Sequence, residues 1–190
     1  MTLDLWIWRH PRPDDAQGRC IGRTDLAVDP RRAARLAYRI ATAARRNGLP
    51  REVWTSPLRR CADAGRALAR LGFAHRIDER LAEFDFGAWD GRRWSDIDRD
   101  EFSAWDRDFS GHRPGGGESV TLLMARARSF LHERAAGADP AGALLVVGHA
   151  GWINAARLSR PPARGSDWPP IASYASLVRL RFEAQQASSS

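Results

Sequence analysis

Two histidines of the sequence directly follow apolar segments that are predicted to be strands. His10 comes with Arg9 after the segment 3–8, and His149 comes after the continuous apolar run 143–147. In parallel α/β sheets, ligands bind beyond the carboxyl ends of the strands, so these side chains are expected to converge on one edge of a sheet. Imidazole and guanidinium groups gathered at one point would bind an anion, and a neutral imidazole there could act as a nucleophile.

A third basic residue is expected at the same edge. The β-prone segment 52–55 is followed by Ser56 and Pro57, which suit a helix cap and a first turn, and Arg60 lies in the first turns of that helix. Each residue alone has a simpler explanation, because most histidines after strands are structural and Arg60 is one of 30 basic residues. Taken together, these residues predict a pocket with several positive charges that would bind a phosphate dianion.

The elements that must position these residues alternate between strand and helix. This alternation predicts a single α/β domain over residues 1–183, a three-layer α/β/α sandwich with a mostly parallel central sheet. Residues 184–190 are expected to form a disordered tail. The predicted strands are 3–8, 52–55, 75–78, 143–147 and 173–182, and the predicted helices are 31–47, 56–71, 96–108, 118–135 and 151–158.

The composition narrows the chemistry. All 30 basic residues are Arg, which excludes Schiff-base and phosphate-loop chemistries that depend on Lys but leaves phosphate binding open. Nucleotide bias of the source genome is the simplest origin of this usage. Because acidic residues accompany the scattered Arg, the net charge of +7 does not predict nucleic-acid binding. The absence of a long apolar run, of a signal peptide and of a disulfide framework predicts a cytoplasmic protein that does not enter a membrane.

Four motifs, in the expected order, resemble those of the histidine phosphatase superfamily, the phosphoglycerate-mutase-like proteins. Residues 5–10 are similar to its first strand and Arg-His nucleophile motif. Residues 56–61 are similar to its Ser-Pro-Leu-x-Arg helix start, which makes Arg60 the pocket arginine. Residues 81–91 are similar to its acid loop and residues 146–151 to its second-His motif. The resemblance covers nearly the whole chain and implies the phosphoglycerate-mutase-like fold.

The resemblance implies a phosphomonoesterase in which His10 takes up the phosphoryl group as a phosphohistidine. Arg9, Arg60 and His149 would surround the phosphoryl oxygens, and Glu83 would protonate the leaving alkoxide and then activate water. These positive side chains would take the place of a metal ion, so neither a metal nor another cofactor is expected.

Further residues resemble the substrate loops of one branch of the family. Residues 18–26 are similar to the loop of the alpha-ribazole phosphatases, which implies alpha-ribazole 5′-phosphate, an ester of cobalamin biosynthesis, as the leading substrate. The run 11–13, Pro-Arg-Pro, departs from the Gly that most relatives have after the nucleophile, and its effect on the substrate loop stays open. The candidate substrate-binding residues are Arg12, Arg23, Thr24 and Ala150.

Three alternatives stay open at this point. They are a broad-specificity phosphatase of small esters, a phosphotransferase of the phosphoglycerate-mutase type, and a non-catalytic protein that binds a phosphate ligand. A module that binds anions or nucleic acid is a weaker interpretation, which affinity that drops steeply with salt would reveal. The expected partner is a small phosphorylated metabolite, with neither nucleic acid nor membrane. The last strand, 176–182, is expected at an edge of the sheet, where it could pair with a second copy in a homodimer.

Overall fold

The chain folds around a five-stranded sheet in a computed structural model that describes residues 2–137 and 142–183. The strands are β1 (Thr2–Arg9), β2 (Glu52–Thr55), β3 (Ala74–Ile77), β4 (Ala143–Gly148) and β5 (Leu177–Glu183). Their spatial order is β3-β2-β4-β1-β5. Every pair is parallel except β1 with β5, so the predicted mostly parallel sheet and the predicted edge position of the last strand are confirmed.

Helices cover both faces of this sheet. They are α1 (Pro30–Asn47), α2 (Arg59–Arg70), α3 (Arg99–Arg107), α4 (Val120–Ala136) and α5 (Ala150–Arg157). Trp6 and Trp8 of β1 pack with α1 and α2, whereas Leu5 and Ile7 pack with α4 and α5 on the other face. Because both faces are covered, the central strands are apolar along their length. The predicted three-layer sandwich is confirmed.

The start of α2 differs from the prediction. The helix begins at Arg59, and Ser56 does not cap it. Instead, the N–H of Arg59 donates to Oδ1 of Asp25 at 2.7 Å, so a residue of a distant loop satisfies this helix end. Ser56 is thereby left free for another role.

The last strand begins four residues later than predicted, at Leu177 instead of residue 173. Ala175 adopts a left-handed backbone with φ of 57°, and its N–H donates to the carbonyl oxygen of Arg9 at 3.1 Å. This turn ties the segment before β5 to the end of β1. The predicted tail, 184–190, lies outside the described residues. Within residues 2–137 and 142–183, no helix is long and apolar enough to cross a bilayer.

Candidate active site

His10 and His149 are neighbours because their strands pair in register. β1 and β4 run parallel with Arg9 opposite Gly148, so the next residue of each strand leaves the sheet at the same point. The N–H of His10 donates to the carbonyl oxygen of Gly148 at 3.0 Å, and the two imidazole centroids lie 5.0 Å apart. The structure thus brings the two strand-end histidines together.

His10 is buried, and a single backbone contact orients its ring. Nδ1 lies 2.7 Å from the carbonyl oxygen of Pro11. Because a carbonyl oxygen can only accept, Nδ1 carries the proton and Nε2 keeps its lone pair. Burial lowers the pKa of His10 well below its usual range, and the charge of Arg60 lowers it further. His10 is therefore a neutral imidazole with a free lone pair on Nε2.

His149 is fully buried, with both ring nitrogens hydrogen-bonded. Arg60 Nε donates to Nδ1 at 3.2 Å, so Nε2 carries the proton and donates to Oγ of Ser56 at 2.7 Å. Burial and the nearby charge of Arg60 hold the pKa of His149 well below its usual range. Ser56 is thus a site residue that sequence reasoning assigned to a helix cap, although its place in the Ser-Pro-Leu-x-Arg motif was a signal.

Arg60 is buried at the centre of the site and fixed by the loop that precedes α1. Its Nη1 donates to the carbonyl oxygen of Thr24 at 2.8 Å and its Nη2 to that of Gly22 at 2.5 Å. Asp90 holds this loop in turn, because its Oδ1 accepts the N–H groups of Gly22 at 3.3 Å and Thr24 at 3.0 Å. A Cβ at Gly22 would lie 2.1 Å from the carbonyl oxygen of Phe84, so this position needs glycine. Arg60 is therefore positioned before any ligand binds.

Arg9 is held between the end of β1 and the segment before β5. Its Nη1 donates to the carbonyl oxygen of Ala172 at 2.7 Å, and its Cζ lies 3.8 Å from the centre of the Tyr174 ring. Burial lowers the pKa of Arg9, but a guanidinium remains charged at neutral pH. This stacking on an aromatic face places a second cation beside His10.

Glu83 is buried and lines the same cavity as His10, Arg9 and Arg60. Its carboxylate accepts three backbone N–H groups: Oε1 from Phe84 at 2.9 Å and Trp152 at 3.2 Å, and Oε2 from Gly151 at 3.1 Å. Two of these donors belong to the first turn of α5, which also follows His149. One helix start therefore positions the acid relative to the second histidine.

Arg126 of α4 fixes the loop that carries Glu83. It donates to the carbonyl oxygens of Arg80 at 2.8 Å, Ala82 at 2.6 Å and Glu83 at 2.9 Å. The same guanidinium pairs with Glu118 at 2.6 Å, and both side chains are largely shielded from solvent. Sequence reasoning missed Arg126, because nothing in its local sequence separates it from the other arginines.

The four predicted substrate contacts occupy different places. Ala150 lines the cavity at the start of α5. Arg12, Arg23 and Thr24 do not line it. Arg12 is exposed and donates to Gln17 at 3.0 Å, whereas the backbone N–H groups of Arg23 and Thr24 bind Asp90. Arg23 and Thr24 therefore belong to the loop that supports Arg60.

Both cysteines of the chain are buried. Cys61 Sγ lies 3.3 Å from Nε2 of His149, and burial raises the pKa of Cys61 to about 12. Burial raises the pKa of Cys20 as well. Both thiols are therefore protonated at neutral pH, which disfavours either as the nucleophile. In the described part of the chain, no three His, Cys, Asp or Glu side chains are grouped to hold a metal ion.

Comparisons with known proteins show what the chain is similar to. The family model described as "Histidine phosphatase superfamily (branch 1)" matches residues 5–189. A curated glucosyl-3-phosphoglycerate phosphatase of Mycobacterium tuberculosis is 32% identical over 174 residues, which cover 79% of this chain and 76% of that protein. The native structure of a mycobacterial glucosyl-3-phosphoglycerate phosphatase has a TM-score of 0.78 at 29% identity, with 95% of this chain and 91% of that chain covered.

The structure of the mycobacterial phosphatase with inorganic phosphate also matches, with a TM-score of 0.75 at 29% identity and coverage of 93% of this chain and 88% of that chain. The fold and the buried basic site together define a hydrolase of phosphate esters. More specifically, the chain belongs to the histidine phosphatase superfamily.

Proposed function

We propose that this protein is a metal-independent phosphomonoesterase that acts on a small phosphate ester through a phosphohistidine on His10. The observation that carries the proposal is the bond between Nδ1 of His10 and the Pro11 carbonyl, which leaves a neutral Nε2 beside the buried Arg60 and the half-buried Arg9. A neutral imidazole can attack phosphorus, and Arg9 and Arg60 can hold the charge of the phosphoryl oxygens.

The proposed reaction has two steps. Nε2 of His10 forms a bond to phosphorus while the bond from phosphorus to the ester oxygen breaks, and Glu83 gives a proton to the departing oxygen. Water then attacks the phosphohistidine, Glu83 takes its proton, and free phosphate leaves with His10 restored. Arg60 supplies positive charge to the transferred group, and the neutral ring of His149, bonded to Arg60, lies beside His10.

Two finer substrate assignments differ. The sequence of residues 18–26 suggested alpha-ribazole 5′-phosphate, whereas the mycobacterial relatives described above are named glucosyl-3-phosphoglycerate phosphatases. The structure gives most of this loop another role: Gly22 and Thr24 offer their carbonyls to Arg60, and Cys20 is buried. Only Arg19 and Ile21 of the loop line the cavity. The motif therefore argues weakly for the ribazole ester, and we propose a small-ester phosphatase as the broader function.

The cytoplasmic location and the homodimer that the sequence suggested stay predictions.

Phosphate release from a panel of esters, measured with and without a chelator, tests the proposal. Wild type is expected to be active in both conditions, and His10→Ala to lose activity at least about 10³-fold. His132→Ala is the matched control, because His132 is an exposed histidine outside the cavity. Acid-sensitive radiolabel from a labelled ester should appear on His10 in quenched wild type.

The alternatives give different results. Activity lost on chelation, or label on another residue, would contradict the mechanism. Transfer of the phosphoryl group to an added alcohol acceptor in place of water would indicate a phosphotransferase. Tight phosphate binding without turnover of any ester would indicate a non-catalytic binder.

A further inference from the structure

The cavity beside His10 extends well beyond the residues that would hold a phosphoryl group. It encloses about 470 Å³, a volume typical of sites for small organic ligands. Its outer part lies between α3, the segment before α3 and the segment before β5. The lining there is mostly apolar, and its aromatic part, called the aromatic wall below, consists of Phe86, Trp94, Phe102, Trp105, Phe109 and Trp168.

The mouth of this cavity concentrates exposed apolar surface. Eight large hydrophobic side chains of the described residues are exposed, and four of them line this cavity. They are Trp94, Phe102, Ile171 and Tyr174, with exposed fractions of 40%, 45%, 63% and 37%. Contiguous exposed apolar surface is uncommon on globular proteins and marks binding sites. The exposure therefore points to an apolar ligand group at the mouth.

The aromatic wall is already assembled. Trp105 stacks on Phe109 with ring centroids 5.1 Å apart, and it meets Phe102 edge to face at 5.8 Å. Phe86 and Trp94 form another edge-to-face pair at 5.6 Å. Rings that support one another in this way lose little further freedom when a ligand binds.

The same wall offers little to a polar or anionic alcohol. Outside the catalytic group, the charged residues lining the cavity within the described chain are Arg19 and Asp106, which have opposite signs. Arg19 already donates to the carbonyl oxygen of Gly91 at 2.9 Å. The Nε1–H of Trp105 is a buried donor without a partner among the described residues and can meet one acceptor of a ligand. Further hydroxyl or carboxylate groups placed against the aromatic wall would lose their bonds to water without replacement, which is costly.

We propose that the aromatic wall binds the alcohol part of the substrate and selects phosphate monoesters whose alcohol carries an aromatic ring. The inference rests on the proposed function for the phosphoryl half of the site. An aromatic ring against the wall gains apolar burial and edge-to-face contacts, while the phosphate stays at His10.

Two esters with leaving alcohols of similar acidity test the selection. For wild type, kcat/KM for 2-phenylethyl phosphate should exceed that for ethyl phosphate by about 10-fold or more. It should also exceed the values for glycerol 3-phosphate and 3-phosphoglycerate. In parallel, calorimetry with 2-phenylethylphosphonate and ethylphosphonate, which cannot be hydrolysed at the C–P bond, measures the same preference as a ratio of Kd values.

Variants at the mouth assign the preference to the wall. Phe102→Ala and Trp94→Ala change exposed side chains, and each should lower the phenylethyl-to-ethyl ratio by about 3- to 10-fold. Leu122→Ala is the matched control, because Leu122 is 49% exposed and lies outside the cavity. The control should keep the wild-type ratio.

The outcomes separate this inference from the proposed function. Turnover of both esters with equal kcat/KM, or a preference for glycerol 3-phosphate or 3-phosphoglycerate, would overturn the aromatic selection and leave the phosphatase proposal intact. If no ester is hydrolysed, the proposed function fails. The ratio of Kd values for the two phosphonates then tests the aromatic selection by itself. Equal Kd values for the two phosphonates would then overturn it.

Discussion

Arg60 donates its Nε–H to Nδ1 of His149 at 3.2 Å. Because Nδ1 accepts this bond from a buried cation, it is not free to take the second proton that would make the imidazole positive. This contact fixes the His149 tautomer and turns Nε2 toward Ser56 at 2.7 Å. The other guanidinium nitrogens of Arg60 bind loop carbonyls, so one side chain joins α2, the loop before α1 and the end of β4. Burial, together with the charge of Arg60, lowers the pKa of His149 and keeps it neutral, and the same Arg60 charge is available to a phosphoryl group.

Replacing Arg60 should therefore reduce activity by more than the loss of one positive charge. Arg60→Lys keeps the charge, but an ammonium cannot reproduce the planar set of bonds to His149 and two carbonyls. We expect kcat/KM to fall by about 10²-fold or more. Steady-state kinetics on one ester measure the effect. Arg59→Lys is the control on the exposed neighbour, and equal activity of the two variants would contradict the assignment.

Glu83→Gln tests the proton transfer. The amide keeps the shape of the side chain and one oxygen for the N–H groups of Phe84 and Trp152, but it loses the acceptor of the Gly151 N–H and can neither give nor take the required proton. With alkyl esters, whose leaving oxygen needs a proton, kcat should fall by about 10²- to 10⁴-fold. With p-nitrophenyl phosphate, whose leaving group departs without one, the loss in the first step should be smaller. An equal loss for both classes in single-turnover measurements would argue against Glu83 as the acid.

The strand-end histidines were predictable from the sequence because parallel strands place their carboxyl ends together. The register of Arg9 opposite Gly148 then sets the contact between His10 and His149. The family resemblance supplied Glu83, for which the loop sequence alone offered no periodic pattern. The five proposed catalytic residues are thus close to one another in the structure.

The supporting residues were not predictable, because their contacts join segments far apart in the chain. Ser56 and His149 are separated by 93 positions, and the Asp90 carboxylate and the N–H of Gly22 by 68. A serine before a helix or an aspartate in a loop has a local explanation that is usually sufficient. Arg126 has no local signal, since its role depends on loop carbonyls that only the fold brings to it.

Asp90→Asn tests whether the loop that holds Arg60 depends on a carboxylate. An amide NH₂ in place of one oxygen would face backbone N–H donors, so the loop loses acceptors. We expect kcat/KM to fall about 10-fold and the free energy of unfolding to fall by ~2 kcal/mol. Kinetics and urea titration measure the two effects. Asp96→Asn is the exposed control, and unchanged activity of Asp90→Asn would contradict a positioning role.

The buried histidines should make the folded state less stable in acid. The pKa values of His10 and His149 are held well below their usual range of about 6.5 by burial and by Arg60, and burial lowers the pKa of His75 too. As the pH falls through about 6.5, the unfolded chain binds protons that the folded protein does not, so the free energy of unfolding decreases. His10 and His149 each contribute up to about 1.4 kcal/mol per pH unit below that point, and His75 contributes less because it is only half-buried.

Urea unfolding between pH 7.5 and 5.5 measures this dependence. The window lies above the usual titration range of carboxylates, so those groups contribute little to it. His10→Gln removes one buried imidazole and should reduce the slope, whereas His132→Gln, at an exposed site, is the matched control and should retain it. A flat profile in wild type, or a slope that His10→Gln leaves unchanged, would show that His10 is not buried as a neutral ring. An imidazole with an unshifted pKa would be protonated below about pH 6.5 and would lose there the lone pair that attacks phosphorus, so kcat/KM would fall with pH in that range.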